Sequence, residues 1–266
     1  MVIIIFKRSY AHSGIVMDAK KAAKNALANV PEAAPGERLM VVCDEDLSEV
    51  GSAFSSAALD MGLWTRILFL KDKKTRKDVP KHLSEIIASQ KPEIFVNVLL
   101  GRSEETPFRI KLIKMERKRR VRLGHCPGIT LDMLTKGALA LSDDDYKTMQ
   151  GFAGKLIHDL MNAEGIEITS QFGTELRMSV KGREFFTDTK LNWKTLKWMN
   201  LPVGEVIVAP QENSLSGVLV CEKAIGGIGL LKKSVKIQAK DGKAKSVVSS
   251  DNAVLRKVNA ALGTDD

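Results

Sequence analysis

Aromatic residues make up only 5% of this 266-residue chain. A surface that stacks on exposed nucleic-acid bases needs aromatic platforms, and this chain has few to offer. Cysteine is scarcer still. Cys43, Cys126 and Cys221 show no paired spacing, so the sequence writes neither a disulfide framework nor a closed zinc site. Cys43 and Cys221 lie in apolar runs and read as buried free thiols. No GxGxxG follows the first apolar strand and no Walker sequence occurs, which excludes dinucleotide or nucleoside-triphosphate binding by those motifs. Long hydrophobic runs are missing too. The opening MVIIIFKRSY holds five apolar residues between Met1 and Lys7, too few for a signal-peptide core or a membrane span. The expectation is a cytoplasmic protein with no membrane partner.

Charge, by contrast, is abundant. Charged residues make up 27% of the chain, hydrophobic residues 44%, and the formal net charge is +9. That composition suits a soluble globular protein, and the length suits one large or two ordinary domains. Arg109–Arg122 carries eight Lys or Arg against Glu116, and Lys223–Lys245 carries seven Lys against Asp241. Such runs attract polyanions in general. Arg109–Arg122 holds no aromatic residue, so it reads as a solvated helix face rather than a nucleic-acid surface.

The first half alternates short apolar strands with helices. Helical spacing of Val16, Ala19, Ala22, Ala23, Ala26 and Leu27 predicts a helix over Gly14–Val30. Strands follow at Arg38–Cys43, Trp64–Leu70 and Ile94–Leu99, with a short fourth at Val121–Leu123. Helices are expected at Leu47–Met61, Lys81–Ser89 and Pro107–Arg119, and Lys71–Lys77 reads as a charged loop. Thr130 is a candidate N-cap after the Pro127–Gly128 turn, and Asp143–Asn162 reads as a long helix. This pattern predicts β-α-β units on a parallel sheet.

The texture changes at Gly165. Gly165–Thr169, Glu175–Val180, Glu184–Thr187, Val206–Ala209, Gly217–Cys221 and Val235–Ala239 read as strands joined by glycine turns, and Gly226–Gly229 reads as one such turn. Asn252–Leu262 has helical character. The fold class expected is α/β: an N-terminal parallel-sheet α/β domain over residues 1–164, then a β-rich α+β domain over 165–266.

Candidate chemistry is sparse. Asp44 and Asp46 end the first strand, where they suit a cation or a helix N-terminus. His125 beside Cys126 suggests a metal pair, but adjacent residues rarely both reach one ion, so a loop is the reading taken. His158 lacks a carboxylate or histidine at i+4 and reads as a helix-surface residue. His12 and His82 have no supporting partners. Glu205 is different. In Asn200–Pro210 (NLPVGEVIVAP), Pro202 sets a turn, Gly204 permits a bend, and Val206–Ala209 reads as a buried strand ended by Pro210. Glu205 then stands at the mouth of that strand. There it either binds a cation or meets water and nearby lysines.

NLPVGEV (Asn200–Val206) resembles a motif of the thermophilic metallo-aminopeptidases, the aminopeptidase T and aminopeptidase S group. HCPGITLDMLTKGA (His125–Ala138), ITSQFGTELRMSVKGR (Ile168–Arg183) and GVLVCEKA (Gly217–Ala224) are similar to further stretches of that family, in its order and at about its spacing. The resemblance runs from about Pro35 to about Val248. It implies a metal-dependent aminopeptidase that releases N-terminal residues from peptide substrates. It implies homodimers, and a centre of two divalent ions (zinc, cobalt or manganese) in the C-terminal domain. Glu205 matches the first metal ligand. Thr174 and Arg183 match family positions and are held here as fold or cavity residues. The family's remaining ligands lie in a further segment, and this sequence stops at Asp266 before it. The expectation is therefore a chain that binds metal weakly and turns over slowly or not at all. Hydroxypyridine ring-opening dioxygenases, which use ferrous iron, resemble the same family and offer an alternative. A non-catalytic dimerisation or regulatory protein is another, and a nucleic-acid binder using Arg109–Arg122 a third.

Overall fold

A computed structural model describes residues 16–71, 75–117, 120–191 and 198–263. His12, the opening apolar run, and parts of the expected helices and loops at Gly14–Val30, Lys71–Lys77 and Pro107–Arg119 lie outside them. In chain order the strands are β1 (Arg38–Asp44), β2 (Trp64–Leu70), β3 (Ile94–Leu99), β4 (Arg122–Pro127), β5 (Gly165–Thr169), β6 (Glu175–Ser179), β7 (Phe186–Thr187) and β8 (Trp198–Asn200). They continue with β9 (Val206–Ile207), β10 (Ser216–Cys221), β11 (Ala224–Ile225), β12 (Gly229–Leu230), β13 (Val235–Lys240) and β14 (Lys243–Val248). The helices are α1 (Ala19–Asn29), α2 (Ser48–Asp60), α3 (Lys81–Gln90), α4 (Thr106–Glu116), α5 (Leu131–Thr135), α6 (Asp143–Leu160) and α7 (Asn252–Leu262).

The expected fold class holds. Five parallel strands run in the order β2-β1-β3-β4-β8. Burial on both faces explains why β1 reads as an unbroken apolar run from Leu39 to Cys43. Leu39, Val41 and Cys43 of β1 share one core with α1 and α2, while Met40 and Val42 face a second core with Leu83 of α3 and Leu112 of α4. Gly51 lets α2 lie close to β1: a Cβ there would come within 2.5 Å of the Cys43 sulfur.

The remaining strands build a second, antiparallel sheet in the order β14-β13-β10-β6-β5. β13 alternates as a strand with one wet face does: Val235 and Ala239 are buried, and Lys236, Gln238 and Lys240 are exposed. Asp241 and Gly242 both have positive φ and close the β13–β14 hairpin, as a two-residue Asp-Gly turn should. β11 and β12 pair around the glycine-rich turn at Gly226–Gly229.

The single division at Gly165 gives way to a different one. Among the described residues, those up to Leu156 together with Phe186–Val206 form one compact unit. Ile157–Phe185 and the residues from Ile207 onward form the other. The reason is β8, which pairs with β4 and returns Phe186–Val206 to the parallel sheet. Its short sequence, WMN, carried no strand signal of its own. β4 is also longer than expected and takes in His125 and Cys126, both buried. They are strand residues, not a loop, because Asn97 and Val98 of β3 pair alongside them.

Two polar groups sit inside the parallel-sheet unit. The first joins strand ends. Arg76 Nη1 lies 2.6 Å from Asp44 Oδ1, and its Nη2 donates to Glu105 Oε2 at 2.8 Å. All three residues are buried. Asp44 Oδ2 also accepts from Leu100 N–H at 2.8 Å, and the guanidinium covers the Phe108 ring at 4.6 Å. Burial opposes the charge on Arg76, but hydrogen bonds to Glu105 and Asp44 outweigh it and move its pKa upward. Asp44 stands at the N-terminus of a short helical turn, Glu45–Leu47, as expected, but its carboxylate serves the ion pair rather than that turn or a bound cation.

The second group lies within the α3/α4 core face. Asn97 Nδ2 donates to Glu116 Oε2 at 2.8 Å. Among the described residues, Asn97 Oδ1, Glu116 Oε1 and His125 Nδ1 are buried without partners. Burial pushes the Glu116 carboxyl up to about 8, against the Asn97 hydrogen bond. Burial, then the Arg109 charge, holds His125 down at about 4.

Two outcomes follow for stability. Arg76→Ala strands two buried carboxylates and is expected to cost about 3–5 kcal/mol in urea unfolding; a loss below about 1 kcal/mol would show that water already screens the group. Glu116 stays protonated in the folded chain up to about pH 8, whereas the unfolded chain ionises from about 4.5. Its contribution is complete below pH 4.5 and is lost as pH rises to 8, by at most roughly 1.4 kcal/mol per pH unit. Glu116→Gln should remove that loss, so the variant gains on the parent steadily between pH 5 and pH 8. A parent–variant difference that stays flat over that range would contradict the buried, protonated carboxyl.

Candidate functional site

Glu205 lies in the parallel-sheet unit, although the resemblance placed a metal centre in the second domain. The local chain explains its position. The Leu201–Pro202 peptide is cis, and Gly204 has a φ of 148°, which a side chain would strain. The N–H groups of Gly204 and Glu205 then both donate to Asp188 Oδ1, at 2.9 and 2.7 Å. The Glu205 carbonyl accepts from Thr187 Oγ1 at 2.7 Å and from Asp188 N–H at 3.3 Å. Beneath this clasp, Thr189 N–H donates to Thr187 Oγ1 at 3.1 Å, and Gln150 Nε2 donates to the Thr189 carbonyl at 3.1 Å. Asp188 and Thr189 are buried.

The result is a fixed backbone with a free head group. The Glu205 side chain is exposed and has no hydrogen bond or ion pair among the described residues. The buried strand expected after it is shorter and wetter: β9 is two residues, both half-buried, paired with β7. Neither Asp188 nor its clasp was visible in the sequence. The hint was TDT (Thr187–Thr189), a polar triplet whose side chains bond readily to nearby backbone.

A carboxylate held in this way can serve as one ligand of a divalent ion. It does not make a centre alone. Among the described residues no group of three His, Cys, Asp or Glu converges, and catalytic zinc ordinarily takes three protein ligands. The described residues therefore do not by themselves fit a two-metal centre.

The other candidates hold the fold. Thr174 is buried, and its hydroxyl accepts from Val220 N–H at 3.0 Å across the antiparallel sheet. Arg183 pairs with Glu212 at 2.5 Å. His158 and His82 are exposed helix residues. Burial pushes the Cys43 thiol up to about 12 and raises Cys126 further, so neither is a ready nucleophile or ligand. Cys221 is half-buried rather than buried. The basic run divides among separate tasks. Lys111 pairs with Asp78, Arg109 donates to the Arg102 carbonyl, and Arg122 binds Glu37 and the Pro31 and Glu32 carbonyls. No described helix is long and apolar enough to cross a membrane.

No family model matches the chain, and no curated protein matches it significantly in sequence. Solved structures do resemble it. AmpT, aminopeptidase T, from Thermus thermophilus is similar with a TM-score of 0.65 at 14% identity, over 93% of this chain and 74% of that one. 2,5-Dihydroxypyridine dioxygenase from Pseudomonas putida is similar with a TM-score of 0.62 at 13% identity, over 93% of this chain and 72% of that one. At these identities the likeness establishes a distant relationship of fold.

Proposed function

We propose that this chain is a relative of the metal-dependent aminopeptidases in which Glu205 supplies one carboxylate to a divalent-metal centre acting on peptide N-termini. The observation that carries the reading is the clasp: two backbone N–H groups locked on Asp188 present an exposed, unpaired carboxylate. Rigid backbone support is what a ligand position needs, and a solvent-facing surface Glu needs none. The fold likeness to AmpT agrees with this reading. Peptide substrates, a homodimer, a cytoplasmic setting and two divalent ions of zinc, cobalt or manganese belong to the same proposal.

A second reading has its own support. One ligand without converging partners among the described residues suits a non-catalytic dimerisation or regulatory relative. An iron-dependent ring-cleaving activity is the third, given the likeness to the dioxygenase.

Calorimetric titration of the chain with zinc, cobalt and manganese, alongside hydrolysis of amino-acid amides, separates these readings. Weak metal binding that disappears in Glu205→Ala, with slow or no turnover, is the expected result. Tight stoichiometric binding with amide cleavage would show a complete centre and overturn the single-ligand view. Metal binding indifferent to Glu205→Ala would remove Glu205 from the site, and oxygen uptake with ferrous iron would favour ring cleavage. Stability gives an independent check. Asp188→Ala should cost about 1–3 kcal/mol, because two N–H groups lose a charged partner. Glu205→Ala should stay within about 0.5 kcal/mol of the parent. Equal losses would mean that Glu205 itself carries structure.

A further inference from the structure

The α3/α4 face of the parallel sheet is not closed where β3 begins. A cavity of about 200 Å3 opens there, beside the C-terminal ends of α3 and α4. Ile87, Pro92, Phe95, Met115 and Val121 make its wall largely apolar. Ala88 and Lys91, both exposed, stand at its rim.

Glu116 completes that wall, and its side chain is only 2% exposed. One carboxyl oxygen accepts from Asn97 at 2.8 Å, and the other has no partner. A buried carboxyl with an unused oxygen lowers stability, whereas an apolar side chain of similar size would not. The Asn97 hydrogen bond accounts for one oxygen of Glu116, and folding gives no reason for the other. An apolar pocket with one unsatisfied polar group is the usual form of a small-molecule site. The last torsion of a Glu side chain is broad, so the carboxyl can turn its free oxygen toward the cavity.

We propose that this cavity binds a small uncharged alcohol, with the hydroxyl completing the hydrogen bonding of Glu116 and the apolar body lying against Phe95, Ile87 and Val121. The choice of ligand class follows from the surroundings. A cation would meet Lys91 at the rim, with Lys114 and Arg117 flanking Met115 and Glu116 in the chain. An anion would have to give up its water against Ile87, Phe95, Met115 and Val121. A hydroxyl both donates and accepts, so it satisfies the free oxygen in either protonation state. This site is separate from Glu205 and its clasp, and it stands whether or not the metal-site reading holds.

The test titrates the full chain with cyclohexanol, cyclohexylamine and cyclohexanecarboxylate, followed by amide shifts in 1H–15N spectra. Cyclohexanol is expected to give saturable shifts at Ala88, Phe95 and Met115, with the two charged analogues weaker by about tenfold or more. Glu116→Met should weaken cyclohexanol by about fivefold or more; it also leaves the Asn97 amide without its acceptor, so the same spectra report whether it folds. Ala88→Phe, at an exposed position, should block the cavity and abolish the shifts, and it keeps the test decisive if Glu116→Met fails to fold. No saturable binding, shifts that map elsewhere, or tighter binding of either charged analogue would overturn the proposal. So would unchanged binding in Ala88→Phe.

Discussion

The ion group of Asp44, Arg76 and Glu105 fixes what the parallel sheet can do. With the order β2-β1-β3-β4-β8, the chain turns to opposite faces after β1 and after β3. Open sheets of this kind bind ligands in the crevice that such a reversal leaves at the strand C-terminal ends. Here Asp44 ends β1 and Leu100 follows β3, and the carboxylate of the first holds the N–H of the second. Arg76 then fills the space between Asp44 and Glu105, with Phe108 beneath it. Three charges buried together are costly to desolvate and costly to separate. A ligand at this crevice would have to displace the guanidinium and leave two carboxylates unpaired. The usual binding place of the fold is therefore occupied by the protein's own side chains.

The packing around that closure follows the same logic. Gly101 has positive φ, and a Cβ there would lie 2.6 Å from Gly128 N. The segments leaving β3 and β4 can approach each other only because Gly101 has no side chain. Close backbone approach and a buried ion group together narrow these strand ends. The Glu205 carboxylate, held by the Asp188 clasp beyond the end of β8, stays exposed to solvent.

Much of the fold was legible because its signals are local. Trp64–Leu70 and Ile94–Leu99 are mostly apolar runs, broken only by Thr65, Arg66 and Asn97 and bounded by Gly62, Pro92 and charged residues, and both strands end where the sequence suggested. Asn252–Leu262 has a capping residue, Asp251, and a helical stripe, and it forms that helix. What the sequence hid is nonlocal. β8 is three residues, and its pairing is decided by β4, which lies some seventy residues earlier in the chain. His125 and Cys126 read as a loop once a metal pair of adjacent residues is set aside, yet β3 recruits both into a strand. The position of Glu205 could be suspected from its motif. Its support could not, because Asp188 is an ordinary acid in a polar stretch until the fold brings it under two N–H groups. Asp44 was misjudged for the same reason: its partner Arg76 sits in a charged loop with no pattern pointing back to β1.

The buried residues Asn97, Glu116 and His125 press the argument further. The core around them is otherwise made of Phe95, Leu99, Leu112, Leu123 and their neighbours. Each of the three brings a polar atom that finds no partner, and no one of them completes another's hydrogen bonding. A polar network that is only partly satisfied is worse for stability than apolar packing. Arg76 and its two carboxylates show that this chain can satisfy buried charge when the purpose is structural. In the first group every charge faces an opposite charge, whereas the second leaves three polar atoms without a partner among the described residues, and that contrast marks the second as a place where stability has been given up for something other than folding.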